Sequence, residues 1–293
     1  MASSRRPKQS APVEELALPD AHWVSTRPGT GRRDRPSQAR MYDYLLGGKD
    51  NFAIDREAAD QVIALLGEAP ARQTALENRA FLVRVVRRLA EQGMDQFIDL
   101  GAGLPALETV HEVVQAVNPQ ARVVYVDNDP SVVAHGRALL ADDRTVQVFT
   151  GDLRRPDEIL KNPVTARMID FTRPVAVLMF AVLQSVPDAE DPAGIVDGYR
   201  RALAPGSAIA VSHATADGFD PVLVSRLIGV FRQTSGPLAL RSAGQLAAIL
   251  HDLDLVEPGL VRCWQWHPDP EADRGADAAP GSGWNYGAVG FTR

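Results

Sequence analysis

The chain has 293 residues, is 45% hydrophobic and carries a formal net charge of −6. That is enough apolar material for one large or two small domains. No apolar run reaches the ~20 residues needed to span a bilayer, and the acidic balance excludes a broad basic surface for nucleic acid. The single cysteine, Cys263, excludes an intrachain disulfide and fits a reducing, cytoplasmic location. No nucleophile motif surrounds it in Arg262-Cys263-Trp264, so it is expected to pack inside a strand.

Residues 1–36 begin basic and polar, lack the apolar core of a secretion signal, and are rich in Pro, Arg, Ser and Gly. They read as a mobile arm, with Arg32, Arg33 and Arg35 either solvated or facing an acidic partner. Residues 37–93 read as a helical segment. Ser37 is placed to cap a short helix through Leu46, and Gly47-Gly48 interrupts it. Asp55 is placed to cap a second helix through Leu66, which Gly67 and Pro70 break. A longer helix is expected from Arg72 to Glu91, with Phe81, Leu82, Val85, Val86 and Leu89 as its apolar stripe and Arg84, Arg87 and Arg88 off it.

From Gln96 onward strands and helices alternate. The strands are expected at Gln96–Leu100, Arg122–Val126, Val146–Thr150, Val175–Phe180 and Ala208–His213. Between them come helices at Ala106–Val117, from Pro130 (capped by Asp129) to Leu140, a short one from Pro156, and one at Pro192–Leu203. Near-continuous apolar strands separated by helices imply an α/β fold with a parallel sheet covered on both faces. Helices at Pro221–Gln233 and Ala243–His251 follow. Strand-like pieces at Val261–Trp266 and Asn285–Phe291 then suggest a closing hairpin with one antiparallel edge strand, joined by a loop from Pro268 to Gly283.

The first β-α-β unit carries the chemistry. Its first strand ends in Asp99-Leu100-Gly101-Ala102-Gly103, and its second ends in Asp127, close to the roughly 20-residue spacing at which an acid meets a ribose. A pyrophosphate site would want a third glycine and free helix amides. Here Pro105 stands instead, and Asp99 would repel phosphate. A carboxylate at that tip attracts an ammonium or sulfonium, and S-adenosylmethionine (SAM) carries both without any phosphate. A tight turn with a solvated acid is the plainer alternative.

The strand order with a final hairpin resembles the seven-stranded class I SAM-dependent methyltransferases over 96–293. The segment Ser37-Gln38-Ala39-Arg40-Met41-Tyr42-Asp43-Tyr44-Leu45-Leu46-Gly47-Gly48-Lys49-Asp50-Asn51-Phe52, with Asp55-Arg56, is similar to the signature of a bacterial, actinobacterial-type S-adenosyl methyltransferase family. The resemblance implies a seven-stranded, mostly parallel sheet with helices on both faces and an N-terminal helical lid. It implies that Asp99, Gly101, Ala102 and Gly103 line the methionine part of SAM, that Asp127 takes the ribose hydroxyls, and that Asn128 and Asp129 border the adenine. Asp152, in Gly151-Asp152-Leu153, would bond the adenine amino group with Leu153 on the ring, or else serve as a turn carboxylate. Phe180 ends the fourth strand near the same site, and Gln184 stands where many small-molecule methyltransferases carry a histidine.

Methyl transfer from a sulfonium needs proximity and exclusion of water, with a base only for some acceptors. Tyr42, Tyr44 and Phe52 are expected to wall the pocket as part of a lid, with Tyr42 also a catalytic candidate, or the tyrosines instead pack on the core. Arg79 could pair with the SAM carboxylate or form a surface ion pair, and His213 is the best titratable candidate for a base. No metal-ligand spacing is evident. The reading is therefore a methyltransferase with a small-molecule acceptor, no nucleic-acid or membrane partner and S-adenosylhomocysteine as product, with a homodimer as one open arrangement. A non-catalytic SAM-binding regulator and an NAD-dependent oxidoreductase are the alternatives.

Overall fold

The computed structural model describes residues 35–106, 108–142, 144–268 and 282–293. The expected arm through residue 34 and most of the Pro268–Gly283 loop lie outside the described residues. Three helices come first: α1 (Gln38–Leu45), α2 (Ala53–Leu66) and α3 (Glu68–Glu91). The repeating part follows in the order β1 (Gln96–Leu100), α4 (Val110–Val117), β2 (Arg122–Asp127), α5 (Pro130–Leu139), β3 (Val146–Thr150), α6 (Pro156–Leu160), α7 (Pro163–Met168), β4 (Ala176–Phe180), α8 (Pro192–Ala202) and β5 (Ala208–Ala214). The end of the chain adds α9 (Pro221–Gln233), α10 (Ala243–Ile249), β6 (Asp254–Leu255), β7 (Val261–Arg262) and β8 (Asn285–Phe291).

Among the described residues the strands form one eight-stranded sheet in the order β3-β2-β1-β4-β5-β8-β6, with β7 also paired to β8. β1 to β5 run parallel and β8 runs antiparallel to β5, β6 and β7. The last long strand is thus inserted within the sheet; it is not the edge that the sequence suggested. The expected strand through Trp266 stops at Arg262, and Cys263–Gln265 turns into a 3-10 helix with Cys263 fully buried.

The pleat divides the side chains between two cores. Phe97, Tyr125, Ala176, Leu178, Ala208 and Ala210 face α3, α4 and α5. Ile98, Leu100, Val124, Val126, Val177 and Ile209 face the α6, α8 and α10 side. A third cluster joins α1, α2 and α9 through Met41, Ala59, Leu227 and Trp284.

Several boundaries shift for identifiable reasons. Helix α3 starts at Glu68, not Arg72, because Pro70 falls in the first turn, where its missing N–H costs nothing. Ser37 precedes α1, but its hydroxyl caps nothing; its backbone N–H donates to Asp55 Oδ1. Asp55 sits in the first turn of α2, not before it, and accepts from the Phe52 N–H. Helix α4 begins only at Val110, so Pro105 lies in an irregular loop. Arg84, expected off the apolar stripe, is buried and donates to the carbonyls of Cys263 and Trp266.

Phe81 sits where α3 meets the sheet, fully buried, edge-on to Phe180 and Trp266. Gly287 on β8 leaves room for it, since a Cβ there would lie 2.6 Å from the ring. Phe81→Ala is expected to lower the unfolding free energy by about 3–5 kcal/mol, measured by urea denaturation.

Candidate functional site

The alternation that sorts the core also builds the site. Asp99 lies two residues beyond Phe97 on β1, so it shares the α3 face; it pairs in register with Tyr125 of β2, and Asp127 follows two residues later on the same face. The carboxyl ends of β1 and β2 therefore present two carboxylates side by side. They open onto a cleft of about 380 Å³, counted to its open mouth, which Arg79, Ala102, Gly103 and Thr109 also line. Its floor reaches Tyr125 and Val148, and the 104–106 stretch forms one wall.

Both acids are almost fully buried. Burial raises Asp99 to about 7; Arg79 opposes that rise and the Asp127 carboxylate adds to it. Burial likewise raises Asp127 to about 6, opposed by hydrogen bonds from the backbone of Asp129 and Gly103. Gly103 N–H donates to Asp127 Oδ2 at 2.9 Å and Asp129 N–H to Oδ1 at 2.8 Å. Each oxygen keeps further lone-pair capacity, as a ribose partner requires.

The two glycines have different reasons. Gly101 has φ +72° and a Cβ there would collide with Val182 at 2.2 Å. Gly103 has φ +67°, and among the described residues nothing stands within 4 Å of where a Cβ would lie, which leaves room there for a ligand. Gly101 and Ala102 both donate to the Val126 carbonyl, which ties the β1 turn to β2. Arg79 donates to the Glu108 carbonyl at 2.7 Å, from α3 across to the far wall.

Other expected residues do not line this cleft. Asn128 is exposed in the turn after Asp127, and Asp129 caps α5 by accepting from Ser131 N–H. Gly151 donates to the Asp127 carbonyl, and a Cβ on it would press on Val126 at 2.7 Å. Leu153 packs against the core, and its carbonyl accepts from Tyr199. Phe180 is buried edge-on against Phe81. Asp152 takes the turn role: Arg154 grips it through its backbone N–H, Nε and Nη2, and those bonds outweigh burial and lower its pKa.

The remaining expectations are redirected. Tyr44 faces α2 and α3, where its hydroxyl meets Asp60 and Arg72 lies over its ring, and it does not reach the cleft. The Tyr42 hydroxyl donates to the Ala75 carbonyl and accepts from Asn78, and burial raises its pKa.

His213 is not a base in this arrangement. It is one residue past Ser212 on β5, so it points to the opposite face, with no exposure at all. Arg241 Nη1 can only donate, so His213 Nε2 accepts, and Nδ1–H goes to the Ala214 carbonyl. Burial above all, with Arg241 adding to it, lowers its pKa to about 4. Ser212, on the sheet face that Asp99 shares, bonds Asn78 and the Ala181 N–H. Asn78, Ser212 and Arg241 were not singled out from the sequence; strand parity alone would have preferred Ser212 to His213.

A doubly covered sheet of this order, with acids ending β1 and β2 around an open glycine turn, is that of a class I methyltransferase. The profile of the S-adenosyl methyltransferase family matches residues 29–293. The solved structure of a candidate methyltransferase from Thermobifida fusca is 42% identical, with a TM-score of 0.80, over 88% of this chain and 96% of its own. A DUF574-family protein from Streptomyces avermitilis is 35% identical, with a TM-score of 0.82, over 88% of this chain and 98% of its own. No curated protein matches the chain. The chain belongs to the S-adenosyl methyltransferase family; it is a SAM-dependent methyltransferase, with SAM as its cofactor.

A histidine whose folded pKa is depressed binds fewer protons than the unfolded chain between its folded value and 6.5, so stability falls as pH drops through that window. His213 alone is expected to remove about 2 kcal/mol between pH 7.5 and pH 5. Urea unfolding at both values, compared with His213→Gln, checks this: the variant loses that part of the acid sensitivity.

Proposed function

We propose that the protein methylates a small-molecule acceptor by in-line displacement, under a roof formed by α1. The observation that carries this reading is how α1 sits over the carboxyl edge of the sheet. From the first turn of α1, Gln38 accepts from Ser185 Oγ at 2.6 Å, in the turn after β4. Arg40 reaches Asp129 and Ser131, in the turn after β2, at 3.4 and 3.5 Å. β1 lies between β2 and β4, so α1 bridges the two flanks of the crevice where ligands of open α/β sheets bind. A roofed crevice suits a compact acceptor and excludes water from the reacting groups.

The residues present fit the cofactor. The two carboxylates carry more negative charge than Arg79 offsets, which suits a ligand with sulfonium and ammonium centres, and the space above Gly103 is open. Asp127 would hold the ribose, Asp99 the cationic end and Arg79 the carboxylate. When bound, SAM supplies a methyl group on a sulfonium, which has a good leaving group. The protein's part is then placement. Ser212, Asn78 and Tyr42 form a hydrogen-bonded row that fixes β5 to α3 and α1, and Gln184 is held by the Ala214 N–H at 2.9 Å. Since His213 and Tyr42 are committed to structural bonds, an acceptor that needs no protein base, such as a neutral amine or a thiolate, fits best.

SAM at 100 times its dissociation constant is expected to add roughly 2.7 kcal/mol of stability, seen as an upward shift in thermal unfolding that NADH does not produce. No shift with millimolar SAM would overturn the cofactor assignment.

Ionised Asp99 and Asp127 attract the cation, and both titrate near neutrality. SAM affinity is therefore expected to weaken as pH falls from 8 to 6, read by calorimetry. Asp99→Asn should bind more weakly at pH 8, with a flatter pH profile.

A further inference from the structure

The segment Ser37–Phe52 with Asp55 and Arg56 marks the family, yet only part of it is used by the reading above. Its centre is Arg40, a guanidinium with 4% exposure. Arg40 Nε donates to Asp55 Oδ2 at 2.7 Å, Nη2 to the Arg35 carbonyl at 2.7 Å, and Nη1 reaches Asp129 Oδ2 at 3.4 Å. Asp55, fully buried, also accepts the N–H groups of Ser37 and Phe52, so the ion pair is enclosed and its oxygens are occupied. The Phe52 ring covers one face of the guanidinium at 5.2 Å.

The contact with Asp129 has a consequence inside the cleft. The Asp129 backbone N–H is one of the donors that orient Asp127, and its carboxylate caps α5 through Ser131. A continuous chain of charge-assisted contacts therefore runs from Asp55 through Arg40 and Asp129 to Asp127. Gln38 stands two positions before Arg40, about 200° away around a helix, and grips the opposite flank at Ser185. Loss of either grip would leave α1 attached to one side only.

We propose that Arg40 is a positioning residue for the adenosine half of the cofactor: it fixes the turn carrying Asp129, and through it the Asp127 carboxylate, when α1 is seated. The inference rests on the cofactor reading above. It assigns Arg40 no contact with the reacting atoms.

The test is calorimetric binding of S-adenosylhomocysteine and of adenosine to the full chain. Arg40→Met and Asp129→Asn are each expected to weaken both ligands about tenfold. Both should lose the same factor, because the relay ends on the ribose acid. The double variant should lose no more than the worse single one, since the two residues act as one unit. Arg56→Met, which breaks a bond to Asn51 in the same segment but reaches no β2 turn, should stay within twofold of wild type.

Arg40→Lys is the second variant if Arg40→Met does not fold. It keeps the charge beside Asp55 but cannot span to Asp129, and the same tenfold loss is expected. Unchanged affinity in folded Arg40 variants, additive losses, or a loss confined to S-adenosylhomocysteine would overturn the positioning role. Wild-type protein that binds neither ligand would instead overturn the cofactor reading on which it stands.

Discussion

Two carboxylates brought side by side into low dielectric are the constraint around which this molecule is arranged. Asp99 and Asp127 end adjacent parallel strands on the same face, and burial lifts both toward neutrality. Neither would remain there without compensation. Asp127 is held by two backbone amides, one from each neighbouring turn, and Arg79 stands opposite Asp99. The arrangement costs stability in the absence of a cationic ligand and favours binding one.

The N-terminal helices follow from that arrangement. A crevice at the carboxyl edge of a parallel sheet is open to water unless something covers it. Helix α1, which we propose as that cover, grips the turn after β2 with Arg40 and the turn after β4 with Gln38. The buried Arg40–Asp55 pair gains by having every acceptor used, since a half-satisfied buried charge would be costly. Asp43 plays a similar part within the segment, taking the Asp50 N–H and the Asn51 amide and so fixing the loop after Gly47-Gly48. The tyrosines of the segment are not the roof; they anchor it to α2 and α3.

At the far side of the sheet the logic is structural. Arg241, 2% exposed, ties the α9–α10 connection to the carbonyls of Leu183 and Val186, to Asp188 and to His213. The imidazole is neutral there because burial disfavours its charged form and the Arg241 guanidinium adds to that. The proposed function accordingly rests on placement and exclusion of water, which methyl transfer from a sulfonium chiefly needs.

The sequence by itself determined the parallel α/β frame, the bounds of β1, β3, α9 and β8, and the pairing of an acid with each of the first two strand ends. Long apolar runs between Pro, Gly and Asp punctuation encode those features locally. It did not show β6 or α7, because elements of two to six residues carry too little periodicity, and it carried β7 past Arg262 to Trp266. Nor did it place the late start of α4, since Pro105 reads equally as a first-turn or a loop residue. Only the tertiary structure decided the burial of Arg40, Arg84 and Arg241. The partners that make a buried guanidinium tolerable are largely carbonyls and carboxylates tens or hundreds of residues away. It also decided that Ser212 and not His213 shares the sheet face of Asp99: the pleat turns adjacent residues to opposite faces, and which face meets the site depends on the packing of the whole sheet.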